Sequence, residues 1–98
     1  MITFGLNYDV KPDYVTQFLE TSRKVLAAMD SFSGHIKTSL YADVDQPTSF
    51  LIYSEWETDQ DFRDFIKSEA FKQVQAMTRD MLLRRPQHKI YETKLMDR

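Results

Sequence analysis

The chain has 98 residues, 42% hydrophobic and 13% aromatic, with charges of both signs and a formal net charge of −2. That composition supports one folded domain, read as residues 1–98, and argues against disorder. The charge gives no electrostatic reason to bind nucleic acid, and the lack of cysteine excludes disulfides, thiolate catalysis and cysteine-held metals.

Ile2 to Val10 alternates: Ile2, Phe4, Leu6, Tyr8 and Val10 share one face, and Thr3, Gly5, Asn7 and Asp9 the other. This pattern predicts a first strand. "KPDY" ends it and opens a helix, with Pro12 in the first turn. Val15, Phe18, Leu19, Ser22, Val25, Leu26 and Met29 then trace one helical stripe, which "DSFSG" stops. "HIKTSLYADV" alternates again, "DQPTS" reads as a turn, and "SFLIYSEW" is apolar on both faces, as a covered strand is. Thr58, three residues before Asp61, starts a short helix carrying Phe62, Phe65 and Ile66. Ser68 caps a continuation that runs to Arg84 and Arg85, basic residues suited to a helix end, before Pro86 stops it. "HKIYETKLM" is the last strand.

The order β-α-β-β-α-β predicts an α+β, ferredoxin-like fold with a four-stranded antiparallel sheet. The first and third strands are central, and lysines guard the second and fourth as edges. Both helices cover one sheet face. The other face keeps apolar residues, and a two-fold homodimer burying sheet against sheet is the economical cover. The longest apolar run, "VLAAM", is far below the ~20 residues of a membrane helix. "MITFGLNYDV" lacks the basic and long apolar regions of a signal peptide. A cytoplasmic protein without membrane contact is therefore expected.

The stretch from Glu55 to Gln75 carries a family resemblance. Glu55, Trp56 and Thr58 close the third strand, and Phe62, Phe65, Ser68 and Phe71 follow on the helix, with F-x-x-S-x-x-F spacing. With "DVDQP" before the third strand and "LLRRP" before the last, this resembles the antibiotic biosynthesis monooxygenase (ABM) superfamily of dimeric α/β barrels, over essentially the whole chain. The resemblance implies one of three activities: cofactor-free oxidation of quinol-like or polyketide aromatics by O₂, haem cleavage, or the binding or isomerisation of small metabolites. Haem-cleaving members resemble one another in a first-strand Asn, a helical Trp and a histidine axial ligand. Asn7 matches the first, but Phe65 and Gln75 stand at the other two positions, and glutamine is no ligand for haem iron.

The expectation is thus a homodimeric, cofactor-independent monooxygenase, with no metal, acting on a small aromatic or quinol-like ligand. Asn7 would polarise the substrate oxygen, and Trp56, Phe62, Phe65 and Phe71 would shape an apolar cleft opposite it. Each aromatic has a plainer role as core, because the spacing is also that of a buried helix face. Members of the quinol branch often carry histidines where this chain has Phe65 and Phe71, so the alternative is a non-catalytic small-molecule-binding protein of the same fold. His35 and His88, near the starts of edge strands, are expected at the surface. Tyr8, Tyr41, Tyr53 and Tyr91 lie in strands, and any of them could hydrogen-bond a phenolic ligand.

Overall fold

The computed structural model describes residues 1–96. The elements are β1 (Ile2–Asp9), α1 (Val15–Met29), β2 (His35–Ala42), β3 (Ser49–Trp56), α2 (Asp59–Ile66), α3 (Glu69–Thr78) and β4 (Gln87–Glu92), with single 3₁₀ turns at Pro12–Tyr14 and Arg79–Met81. The sheet order is β2-β3-β1-β4, and all neighbours are antiparallel. The ferredoxin-like α+β fold and its central and edge strands are as the sequence predicts.

Register fixes which residues face the helices. Ile2, Phe4, Leu6 and Tyr8 lie opposite Trp56, Ser54, Ile52 and Phe50. These pair on the helix-covered side and join Phe18 and Met29 of α1 and Phe62 and Phe65 of α2 in one core. Fully burying each such side chain contributes about 1.5–3 kcal/mol. Trp56 is at its centre, 0% exposed. It stacks on Phe65 with ring centroids 4.8 Å apart and donates its indole N–H to Ser54 Oγ at 3.0 Å. The hydrogen bond removes the one polar cost of burying an indole.

Local chemistry sets the boundaries. Asp43 Oδ1 accepts from the backbone N–H groups of Asp45 and Gln46 at 2.8 and 3.2 Å, which closes the β2–β3 turn. Thr58 caps α2 by accepting from the Asp61 N–H at 3.1 Å, and Ser68 caps α3 by accepting from the Phe71 N–H at 3.2 Å. Gly34 has φ 77°, and a Cβ there would collide with the Asp61 side chain. Only glycine fits this turn, which brings β2 under the start of α2.

Three boundaries differ from expectation. The second strand ends at Ala42 rather than Val44, because the Asp43 side chain turns the backbone. The last strand ends at Glu92 rather than continuing to Met96. The second helix ends at Thr78, and Arg84 and Arg85 lie in the irregular segment before β4 rather than at a helix end. The reason is that residues 79–83 turn back onto the end of β1. Lys11 N–H donates to Met81 O at 2.8 Å, Leu83 N–H donates to Asp9 O at 2.8 Å, and Val10 bridges Leu82. These bonds satisfy the backbone that a longer helix would have used.

Candidate functional site

The side chains expected to form one cleft are divided among three places. Trp56 and Phe62, 0% and 2% exposed, are core. Phe65 and Phe71 line an apolar groove of about 210 Å³ between α1 and α3, beside Val25, Phe32 and Val74. Asn7 faces the other way. It pairs with Leu51 of β3 and Gln87 of β4, on the sheet face that carries no helix, and its amide lies 3.5 Å from Ser49 Oγ. The predicted cleft with Asn7 opposite the phenylalanines is therefore not formed within the chain. The physical cause is the two-residue period of the strand. Leu6 and Tyr8 take the helix side, so Asn7 between them cannot.

A larger cleft lies where sequence reasoning did not place one. It encloses about 860 Å³ and is lined by Leu6 and Tyr8 of β1, Gln75 and Thr78 of α3, Arg79, Leu82, Arg84, Arg85, Pro86, and His88 of β4. It exists because α3 stops short. All six residues of β4 are exposed, so the helical layer leaves the β4 edge of the sheet uncovered on that side. The returning segment from Arg79 to Pro86 supplies the remaining wall.

Tyr8 is the most constrained polar residue of this cleft. Its side chain packs on Phe18, with centroids 5.2 Å apart, and the residue is 5% exposed. Burial pushes its pKa up to about 12, so the group is a neutral phenol at physiological pH. Its hydroxyl has no protein hydrogen-bond partner among the described residues, yet no fully enclosed side-chain N or O is left unpaired there. The hydroxyl therefore keeps an opening, and the cleft is the opening that its side chain lines. Of the strand tyrosines, Tyr8 is the one in this cleft. Tyr53 lies on the open sheet face, where its phenol donates to Glu55, a bond that raises its pKa.

The two histidines behave differently. His35 is not at the surface: its side chain is 3% exposed, Nδ1 lies 3.4 Å from Asp30, Nε2 lies 2.5 Å from Thr38 Oγ1, and the ring packs edge-on against Trp56. It is a structural residue. His88 is exposed, pairs with Leu6, and sits with its ring centroid 6.2 Å from that of Phe4. It brings an imidazole to the cleft. Its signal in the sequence was its phase with Ile90 on the last strand, which becomes meaningful only once β4 is known to pair with β1. No group of three or more His, Cys, Asp or Glu side chains that could hold a metal ion occurs among the described residues.

Known proteins resemble this chain in sequence and in fold. A protein of Natronomonas pharaonis named "Putative heme-binding protein" is 34% identical over 86 residues, covering 88% of this chain and 14% of that protein. The chain thus spans about a seventh of that relative's length. A conserved protein from Methanosarcina mazei superposes with a TM-score of 0.90 at 22% identity, covering 95% of this chain and 92% of that one. SnoaB, a cofactor-independent oxygenase from Streptomyces nogalater, superposes with a TM-score of 0.85 at 16% identity, covering 97% and 94%. The family pattern described as "Antibiotic biosynthesis monooxygenase" matches residues 1–77. This span holds β1, β2, β3 and nearly all of the helical layer, with Leu6, Tyr8 and Gln75 of the cleft, and on that match the chain belongs to the ABM family.

Proposed function

We propose that the chain is a cofactor-independent oxygenase that binds a flat aromatic or quinol-like substrate in the Tyr8–His88 cleft. The observation that carries this reading is the shared wall: a neutral phenol without a protein partner and an imidazole open onto one cavity, beside the apolar side chains of Leu6, Leu82 and Pro86. The chemistry needs little more. His88 takes a proton from an acidic phenol or ring carbon, since imidazole is the side chain suited to proton transfer near neutrality. Tyr8 donates a hydrogen bond to the resulting oxyanion, and the apolar wall strengthens that bond. The electron-rich anion reduces O₂ directly. For an anthrone-like CH₂, one oxygen atom ends as the new carbonyl and the other leaves as water with the two displaced hydrogens.

Oxygen uptake with quinol and anthrone-like phenol panels tests this. His88→Ala is expected to lower turnover by about 10²–10⁴-fold, the usual contribution of a general base, while binding persists. Binding without any oxygen uptake in the unaltered protein would instead establish a non-catalytic binding protein of the same fold.

The relatives' name supports a second ligand, haem. His88 is an imidazole that reaches the cleft and would hold the haem iron, whereas Gln75, lining it from α3, is no iron donor. Bound haem would supply iron chemistry. In the cleft, Leu6 and Leu82 would contact its apolar surface and Tyr8 would offer a hydrogen bond. A Soret shift on haem titration that disappears in His88→Ala supports this ligand, and no shift removes it.

We also propose a homodimer formed through the open sheet face, with Asn7 at the subunit interface rather than in the substrate cleft. Leu51, Tyr53 and Tyr91 around Asn7 are the residues that such an interface would bury.

A further inference from the structure

We infer that the ligand of the cleft carries an acidic group, a carboxylate or its equivalent, in addition to its flat apolar body. This rests on reading the cleft as the ligand site. Three of the chain's six arginines, Arg79, Arg84 and Arg85, line this one cavity, although the protein as a whole is net negative. No Asp or Glu is among its lining residues. Asp9 meets Arg84 at 3.3 Å, which leaves Arg79 and Arg85 without a carboxylate partner among the described residues.

Like charges gathered without a counter-charge repel one another, and an anion in the cavity relieves that repulsion. Guanidinium groups suit the role, because their planar forks hold a carboxylate by two parallel hydrogen bonds. The arrangement also has a direction. Leu6 and Tyr8 form the sheet side of the cleft and the arginines the loop side, so the ring system seats against the sheet with its acid toward residues 79–85. The bonds from Lys11 N–H to Met81 O and from Leu83 N–H to Asp9 O, with the Val10–Leu82 bridge, hold this segment against β1. Placement of the acid then fixes which ring edge meets Tyr8 and His88.

The test compares two probes of nearly the same shape, anthraquinone-2-carboxylate and 2-(hydroxymethyl)anthraquinone, by titration calorimetry on the intact chain. The acid is expected to bind at least about 10-fold more tightly, a difference of about 1.4 kcal/mol, and the margin should shrink with added salt. In Arg79→Gln/Arg85→Gln the margin should fall below about 3-fold with the neutral probe's Kd unchanged. Lys37→Gln/Lys67→Gln, which removes equal charge away from the cleft, should retain it. Equal affinities in the unaltered protein, or a margin that survives the double arginine substitution, would overturn the acid preference. Binding of the neutral probe in that case leaves the cleft itself standing. Failure of both probes to bind overturns the acid preference together with the cleft as an aromatic site.

Discussion

Tyr8 links stability to alkali as well as to ligand. Burial raises its pKa to about 12 in the folded chain, against the ordinary 10.0 of a tyrosine. The folded state therefore holds the phenolic proton more tightly than the unfolded state. Below pH 10 both states are protonated and the stability is fully present. Between about pH 10 and 12 the unfolded chain ionises first, and about 2–3 kcal/mol is lost. Tyr8→Phe should flatten this part of the stability curve, measured by denaturant melts across pH, and should also weaken phenol binding. If the alkaline slope is the same in both proteins, Tyr8 is not the group responsible. The sequence narrowed this role to four strand tyrosines but could not choose among them. The choice depends on strand phase relative to the helices and on where α3 stops, and both are tertiary facts. The same phase separates Asn7 from Phe65 and Phe71, a separation that helical and strand periodicities read one at a time cannot reveal.

At the level of elements, nearly every boundary was legible because it has local chemistry. Pro12, Thr58 and Ser68 act on backbone groups within three residues of themselves, whereas Asp43, which turns the chain, was read as part of the alternating second strand. The break between α2 and α3 depends on Ser68, whose hydroxyl also donates to Phe65 O at 2.6 Å. Ser68→Ala should cost about 1 kcal/mol and lower Tm by about 4–8 °C in a domain of this size, read by thermal melting. An unchanged Tm would mean that packing of Phe65 and Phe71 alone sets the break. The end of the second helix was not legible. Arg84 and Arg85 suit a helix terminus on local grounds, but the backbone of β1's last residues offers residues 79–83 better-placed partners. The candidate cleft was missed for that reason, since it is made by a chain reversal whose partners lie some seventy residues away.

For the whole molecule, the sheet's two faces differ sharply. One is packed by helices. The other presents Leu51, Tyr53, Asn7 and Tyr91, with Tyr91 52% exposed, around a shallow hollow of about 310 Å³. The proposed homodimer would remove this surface from water. Leu51→Asp, on a central strand, is expected to convert a two-chain mass to a one-chain mass in sedimentation, because an unpaired buried carboxylate costs several kcal/mol. A one-chain mass for the unaltered protein at micromolar concentration would sink the dimer. The pairing of β4 with β1 has one more consequence. Thr93 N–H donates to Met1 O at 2.8 Å, so the polypeptide enters and leaves the sheet at neighbouring points. A unit built this way can be spliced into a surface loop of a much larger host without its ends being drawn apart.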